Sequence, residues 1–195
     1  MIPDISSLPP RIESGVAKDL RSVGLRFKGL KAEPQILVLV ANGRLDISVL
    51  SILLHGQFDG EKIVSIHRPL ELEFSSIGKS ISFLMHMGIK QKKFLVVLDQ
   101  DEISLKDAWS SIEMSLRSHG FSFIEVRRNN RWTLYKCKHG EKELKISIVI
   151  SGFEKRYVKH RIEDHLLEVA LKKGYINEAS LSKYNDSKRS LGKFT

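Results

Sequence analysis

Two short stretches of this chain hold residues whose types and spacing could do chemistry. In "KKFLVVLDQDE" an apolar run ends in Asp99 and Asp101, two positions apart. Side chains two apart in an extended segment point the same way. Oxygen ligands so placed can hold Mg²⁺ (or Mn²⁺) with several waters retained. Such an ion neutralises charge that develops on a phosphate during phosphoryl transfer. The competing structural reading is an acidic loop leading into a helix capped by Ser104. The second stretch, "ILVLVANGRLDISVLSILL", passes from five apolar residues through Asn42-Gly43 to Asp46. Here the strand delivers an amide. An amide oxygen can ligate a cation, but the group cannot exchange a proton near neutral pH and so cannot act as a general acid or base. Asp46 also fits a plain helix N-cap.

The elements that must position these residues are legible as a pattern. "QILVLVA" reads as a buried strand and "DISVLSILLHG" as a helix, with Asp46 as N-cap and Gly56 as C-cap. "EKIVSI" reads as a strand, "SSIGKSISFLMHMG" as a helix stopped near Gly88, and "KKFLVVLD" as a strand. "SLKDAWSSIEMSLRSHG" is a helix from Ser104 to Gly120, and "FSFIEVR" a fourth strand. Strand and helix alternate with short connections, the pattern of βαβ units and a parallel sheet covered by helices. In such sheets ligands gather at the carboxyl ends of the strands, near a switch in strand order. From residue 121 the pattern becomes three strands with turns at Asn129-Asn130 and His139-Gly140, an antiparallel extension. "RIEDHLLEVALKKG" closes as a strong helix, followed by a basic tail. The expectation is an α/β fold: a mostly parallel sheet with helices on both faces and an antiparallel strand extension. No linker is evident, so residues 1–195 read as one domain, with a core at 34–125 and the extension, helix and tail at 126–195.

Composition sets the class of partner. The 195 residues are 42% hydrophobic and 28% charged, which suits a globular protein, and the formal net charge is +9. A basic balance favours phosphate-rich partners. The segment "EVRRNNRWTLYKCKHGEK" interleaves Arg127, Arg128, Arg131 and Lys136 with Trp132, so cations could grip phosphates while an aromatic stacks on a base. The alternative is a charged hairpin whose Trp132 packs inward. Lys188 and Arg189 in the tail could follow a phosphate backbone, and Arg44 lies within the first motif. The lone Cys137 suits a reducing compartment. No apolar run approaches the roughly 20 residues of a membrane helix, and the chain reads as cytoplasmic.

Two other motifs carry less. "SSIGKS" imitates the end of a phosphate-binding loop, but Glu73 stands where the first glycine is needed. His160 and His165 are five apart, unlike the four-residue spacing of a helical zinc pair.

The combination of motifs resembles the Toprim domain, the family of type IA and type II topoisomerases, bacterial-type primases, small ribonuclease-maturation enzymes and nucleases of the overcoming-lysogenization-defect group. Its first motif, a strand followed by Glu-Gly-x-x-Asp, is matched by Asn42, Gly43, Arg44, Leu45 and Asp46. Its second, Asp-x-Asp after a strand, is matched by Asp99, Gln100 and Asp101, with Glu102 following. The match covers about residues 34–125. The resemblance implies a Rossmann-like Toprim fold and a Mg²⁺ or Mn²⁺ site at Asp99 and Asp101. It implies Asp46 as a supporting catalytic position, position 42 as the acid/base slot, and DNA or RNA as partner. It also implies an extra metal-binding acid from a later segment, here Glu163, although Glu163 and Asp164 equally suit the first turn of a helix. Religation is not expected, since no tyrosine sits in an obvious strand-passing module. The departure is Asn42. It leaves open a nuclease impaired or abolished by an Asn engineered in place of a natural Glu, a natural Toprim-like nucleic-acid binder without chemistry, or a site in which another acid such as Glu102 takes over. A phosphoacceptor domain of receiver type would need paired acids after the first strand, and "VANG" supplies none.

Overall fold

The computed structural model describes residues 34–41, 44–58, 64–69, 72–88, 90–153 and 161–178. Asn42, Gly43, His160, Lys188 and Arg189 lie outside the described residues, as does the side chain of Arg44. In chain order the elements are β1 (Ile36–Val40), α1 (Arg44–Phe58), β2 (Val64–His67), a 3₁₀ turn (Phe74–Ser76) leading into α2 (Ile77–His86), β3 (Lys93–Asp99), α3 (Leu105–Ser118), β4 (Phe121–Arg128), β5 (Trp132–His139), β6 (Lys142–Ser151) and α4 (Ile162–Lys172).

The strands form one six-stranded sheet in the order β2-β1-β3-β6-β5-β4. The pairs β2-β1, β1-β3 and β3-β6 are parallel, whereas β6-β5 and β5-β4 are antiparallel. The fold is therefore α/β, mostly parallel, with the antiparallel extension expected from the turn residues. β4 follows a helix in the alternation, yet the strand beside β3 is β6. Burial explains the exchange. Ile146, Ile148 and Ile150 of β6 are almost wholly buried, while β4 is exposed along most of its length. A central parallel strand must be apolar enough to lose its water.

Side-chain alternation sends Leu37, Leu39, Phe94, Val96 and Leu98 into one core with α2 and α3. Val38, Val40 and Val97 enter a second core with Ile47 and Leu50 of α1. Helices thus pack on both faces. Each fully buried aliphatic side chain contributes about 1.5–3 kcal/mol, and β1, buried on both sides, anchors the sheet. Asp46 is not the N-cap of α1. That helix begins at Arg44, which puts Asp46 in its first turn, where the macrodipole favours a carboxylate. Ser104 does cap α3, its side chain accepting from the Asp107 N–H, and Gly120 (φ +79°) ends that helix in the left-handed conformation glycine accepts.

Gly78 of the "GKS" sequence is a helix-packing residue. Its N–H donates to Ser115 Oγ at 3.0 Å, and a Cβ there would lie 2.2 Å from the Ser115 carbonyl oxygen. Gly78→Ala should force α2 from α3 and cost about 1–3 kcal/mol, the usual range for overpacking. Urea denaturation measures this; an unchanged midpoint would contradict it.

At the end of β2, His67 Nε2 lies 2.8 Å from Ser65 Oγ, and burial pushes this imidazole below its ordinary range. A histidine held neutral stabilises the fold above its unfolded pKa of about 6.5, and that contribution is lost as pH falls through the lower folded value. The melting temperature should drop on acidification from neutral pH. Scans of His67→Gln across pH should show a shallower drop, and an identical profile would refute the assignment.

Candidate functional site

The strand order reverses between β1 and β3: β2 lies on one side of β1, and β3 with its neighbours on the other. Loops leaving β1 and β3 then part to opposite faces and leave a crevice at the carboxyl ends. A cleft of 530 Å³ lies there, lined among others by Ala41, Arg68, Asp99, Gln100 and Asp101. Both aspartates of the second motif thus border one cleft with Ala41, the residue before Asn42.

Their orientation differs from the expected extended pair. Asp101 adopts φ +50°, a left-handed conformation that breaks the strand alternation. Asp99 Oδ1 accepts hydrogen bonds from Ser151 Oγ at 2.5 Å and from the Ile162 N–H at 3.2 Å. Asp101 Oδ1 accepts from Arg161 Nε at 2.9 Å. The two carboxylates therefore meet successive residues, 161 and 162, at the start of α4. Asp164 adds to this junction, its Oδ2 accepting from the Phe153 and Arg161 N–H groups at 2.8 and 3.2 Å. Glu163 is buried beside it in the same first turn. Among the described residues, no three His, Cys, Asp or Glu side chains converge as a metal site by themselves.

Ser151 and Arg161 were not singled out from sequence. Arg161 stands just before a helix, and Ser151 ends a strand, but nothing local shows that either meets an aspartate more than fifty residues away. Arg68 was also missed; it is exposed one residue beyond β2 and gives the cleft a cation.

The basic hairpin is divided. Arg131 turns inward and donates to Gln100 Oε1 at 2.8 Å, with the Ile150 and Ser151 carbonyls at 3.5 Å. It holds the loop between the two aspartates. Arg128 lies on the face covered by α3, paired with Glu113 and Glu125 and stacked 4.9 Å from the Trp109 ring centroid. Arg127 covers Trp132, which is half-buried, at 5.4 Å. Lys136 is exposed. His165, in the first turns of α4, accepts the Gly152 N–H at Nε2. Burial lowers its pKa, Arg131 adds to that, and the charges of Asp164, Asp99 and Glu168 oppose it. Burial pushes the Cys137 thiol up to about 12, so it is an inert core group.

Compared with known proteins, the chain matches no family model, no curated protein and no solved structure. No helix among the described residues is long and apolar enough to cross a membrane.

Ser151→Ala removes a charge-assisted hydrogen bond from a buried carboxylate. The expected loss is about 1.5–3 kcal/mol of stability. Chemical denaturation of the variant checks this, and a loss within experimental error would show that Asp99 finds another partner.

Proposed function

We propose that this chain is a Toprim-like nucleic-acid-directed phosphodiesterase domain whose Asp99 and Asp101 hold Mg²⁺ or Mn²⁺, and whose cleavage is impaired by Asn42. The observation that carries this reading is the shared cleft at the β1/β3 switch point, bordered by Asp99, Asp101 and the residue preceding Asn42.

The residues fit a divalent cation. A guanidinium already occupies the cation position at Asp101. That side chain of Asp101 is 48% exposed, and an ion pair so open to water is worth only about 0–1 kcal/mol. Displacing Arg161 therefore costs little. Mg²⁺ asks for only one or two carboxylates because it keeps several waters, so Asp99 and Asp101 suffice, with Glu163 nearby at the α4 start and Asp46 in the first turn of α1. The bound ion would supply charge neutralisation at a phosphate oxygen. Arg68 would hold a phosphate in the cleft, and Arg131, through Gln100, would fix the loop that carries both aspartates. Position 42 follows Ala41 at the cleft and is where a proton would be moved, which an amide cannot do.

A second reading, a nucleic-acid-binding domain without chemistry, is favoured by the same Arg161: the acids are already compensated within the chain. One experiment separates the two. Asn42→Glu and the unsubstituted protein are incubated with labelled single- and double-stranded DNA and RNA, with Mg²⁺ and with Mn²⁺. Restoring a general acid/base should raise cleavage on the order of 10²–10⁴-fold. If the folded variant binds metal and cuts none of these, the nuclease reading fails and the binding domain takes its place. In parallel, Arg161→Gln should tighten Mn²⁺ binding measured by calorimetry, and Asp99→Ala/Asp101→Ala should abolish it. Identical isotherms for all three proteins would remove the metal site.

A further inference from the structure

The sheet face that carries Lys93, Leu95, Val97 and Asp99 continues over β6, β5 and β4. The register places Lys93 beside Lys145, Lys145 opposite Lys136, and Lys136 opposite Ile124. All four are exposed, Ile124 to 65%. One step away, Lys138 stands opposite Glu143 and Ser122. In the other direction come Leu134 with Arg127, then Trp132 with Val149; Leu95, Val97 and Val149 pack against the α1 core, and Asp99 and Ser151 at the end of the face are buried. The other side of these same strands is closed by α2 and α3.

Three lysines therefore stand in line across adjacent strands, roughly 4.8 Å apart. Like charges directly opposite one another destabilise a sheet. Among the described residues, no ion pair neutralises Lys93, Lys136, Lys138 or Lys145. A 640 Å³ hollow opens among these lysines and Lys92, with Glu143 as its acid. A bound anion would relieve this repulsion. The row is too extended for one small anion and suits a chain of phosphates.

We propose that the part of this face outside the α1 core, over β4, β5, β6 and the Lys93 end of β3, is a track for a single nucleic-acid strand. Lys93, Lys145, Lys136 and Lys138 hold successive phosphates. Trp132, with Arg127 over its ring, offers a stacking surface at the end nearer Asp99. The proposal rests on the nucleic-acid part of the reading above and adds the path and the strandedness. From Lys138 to Trp132 along β5 is six strand steps, roughly 20 Å at about 3.3 Å each, within the span of a binding site of several nucleotides. A nucleic-acid strand lying there runs from the lysines along β5 toward Trp132. Single strands are selected because a flat face with an aromatic edge can stack only on bases free of a duplex.

Fluorescence anisotropy of a labelled oligo(dT) of about twelve nucleotides, without metal, tests this with the full chain. The salt dependence is read between about 50 and 200 mM. Lys136→Gln/Lys145→Gln should weaken binding on the order of tenfold at low salt and reduce the log–log salt slope by about 1.4. Trp132→Ala should weaken it about fivefold or more with little change in slope. The lysine variant should melt no lower than the parent, because it removes two opposed like charges, and should bind Mn²⁺ unchanged. Equal affinity and slope in the lysine variant would overturn the proposal. So would a duplex bound as tightly as the single strand, or binding to phosphatidylserine vesicles in place of oligonucleotide. Because no metal is present, loss of the phosphodiesterase reading would leave a positive result standing. A parent protein that binds no oligonucleotide would end both.

Discussion

The carboxylate of Asp99 ties three parts of the chain together. It sits at the end of β3, takes the Ser151 hydroxyl from the end of β6, and takes the Ile162 N–H from the first turn of α4. Helix N-termini begin with donors that have no intrahelical partner. A buried carboxylate needs donors or it pays for its lost water. Each solves the other's problem. The parallel pairing of β3 and β6 brings Asp99 and Ser151 level, and α4 is then drawn to the crevice at the strand ends.

That constraint determines the electrostatics of the cleft. Asp101, Glu163 and Asp164 collect around the same helix start, where the positive end of the macrodipole moderates their repulsion. Arg161 and Arg131 supply the remaining compensation, one directly on Asp101 and one through Gln100. The two cations differ in how they can be replaced. Arg161 meets a half-exposed carboxylate, whereas Arg131 is built into the turn beside β6 through backbone carbonyls. At the proposed site a divalent ion would compete with the first and leave the second in place.

Sequence patterns revealed most of the elements because their signals are local. The apolar runs of β1 and β3, the Ser104 cap and the glycine after α3 depend on neighbouring residues. The antiparallel turn at His139-Gly140 was equally readable. What stayed hidden was longer in range. Placing β6 beside β3 required comparing the apolarity of two strands, and α1 extends two residues before the Asp46 that looked like its cap. At the site, the motif aspartates were visible from their spacing, but their partners Ser151 and Arg161 come from elements far along the chain. The left-handed Asp101 also reversed the simple geometry expected of an extended Asp-x-Asp. The lysine row emerged only once the strands were in register, since its members come from β3, β5 and β6.

The cation site proposed in the β1/β3 crevice rests on Asp99 and Asp101. The most direct measurement is paramagnetic broadening of amide resonances in a ¹H–¹⁵N spectrum as substoichiometric Mn²⁺ is added. The account predicts selective loss of the signals of Asp99, Gln100, Asp101 and Ile162, with the lysine-bearing ends of β3 and β6 unaffected. Uniform broadening, or loss centred elsewhere on the protein, would contradict it.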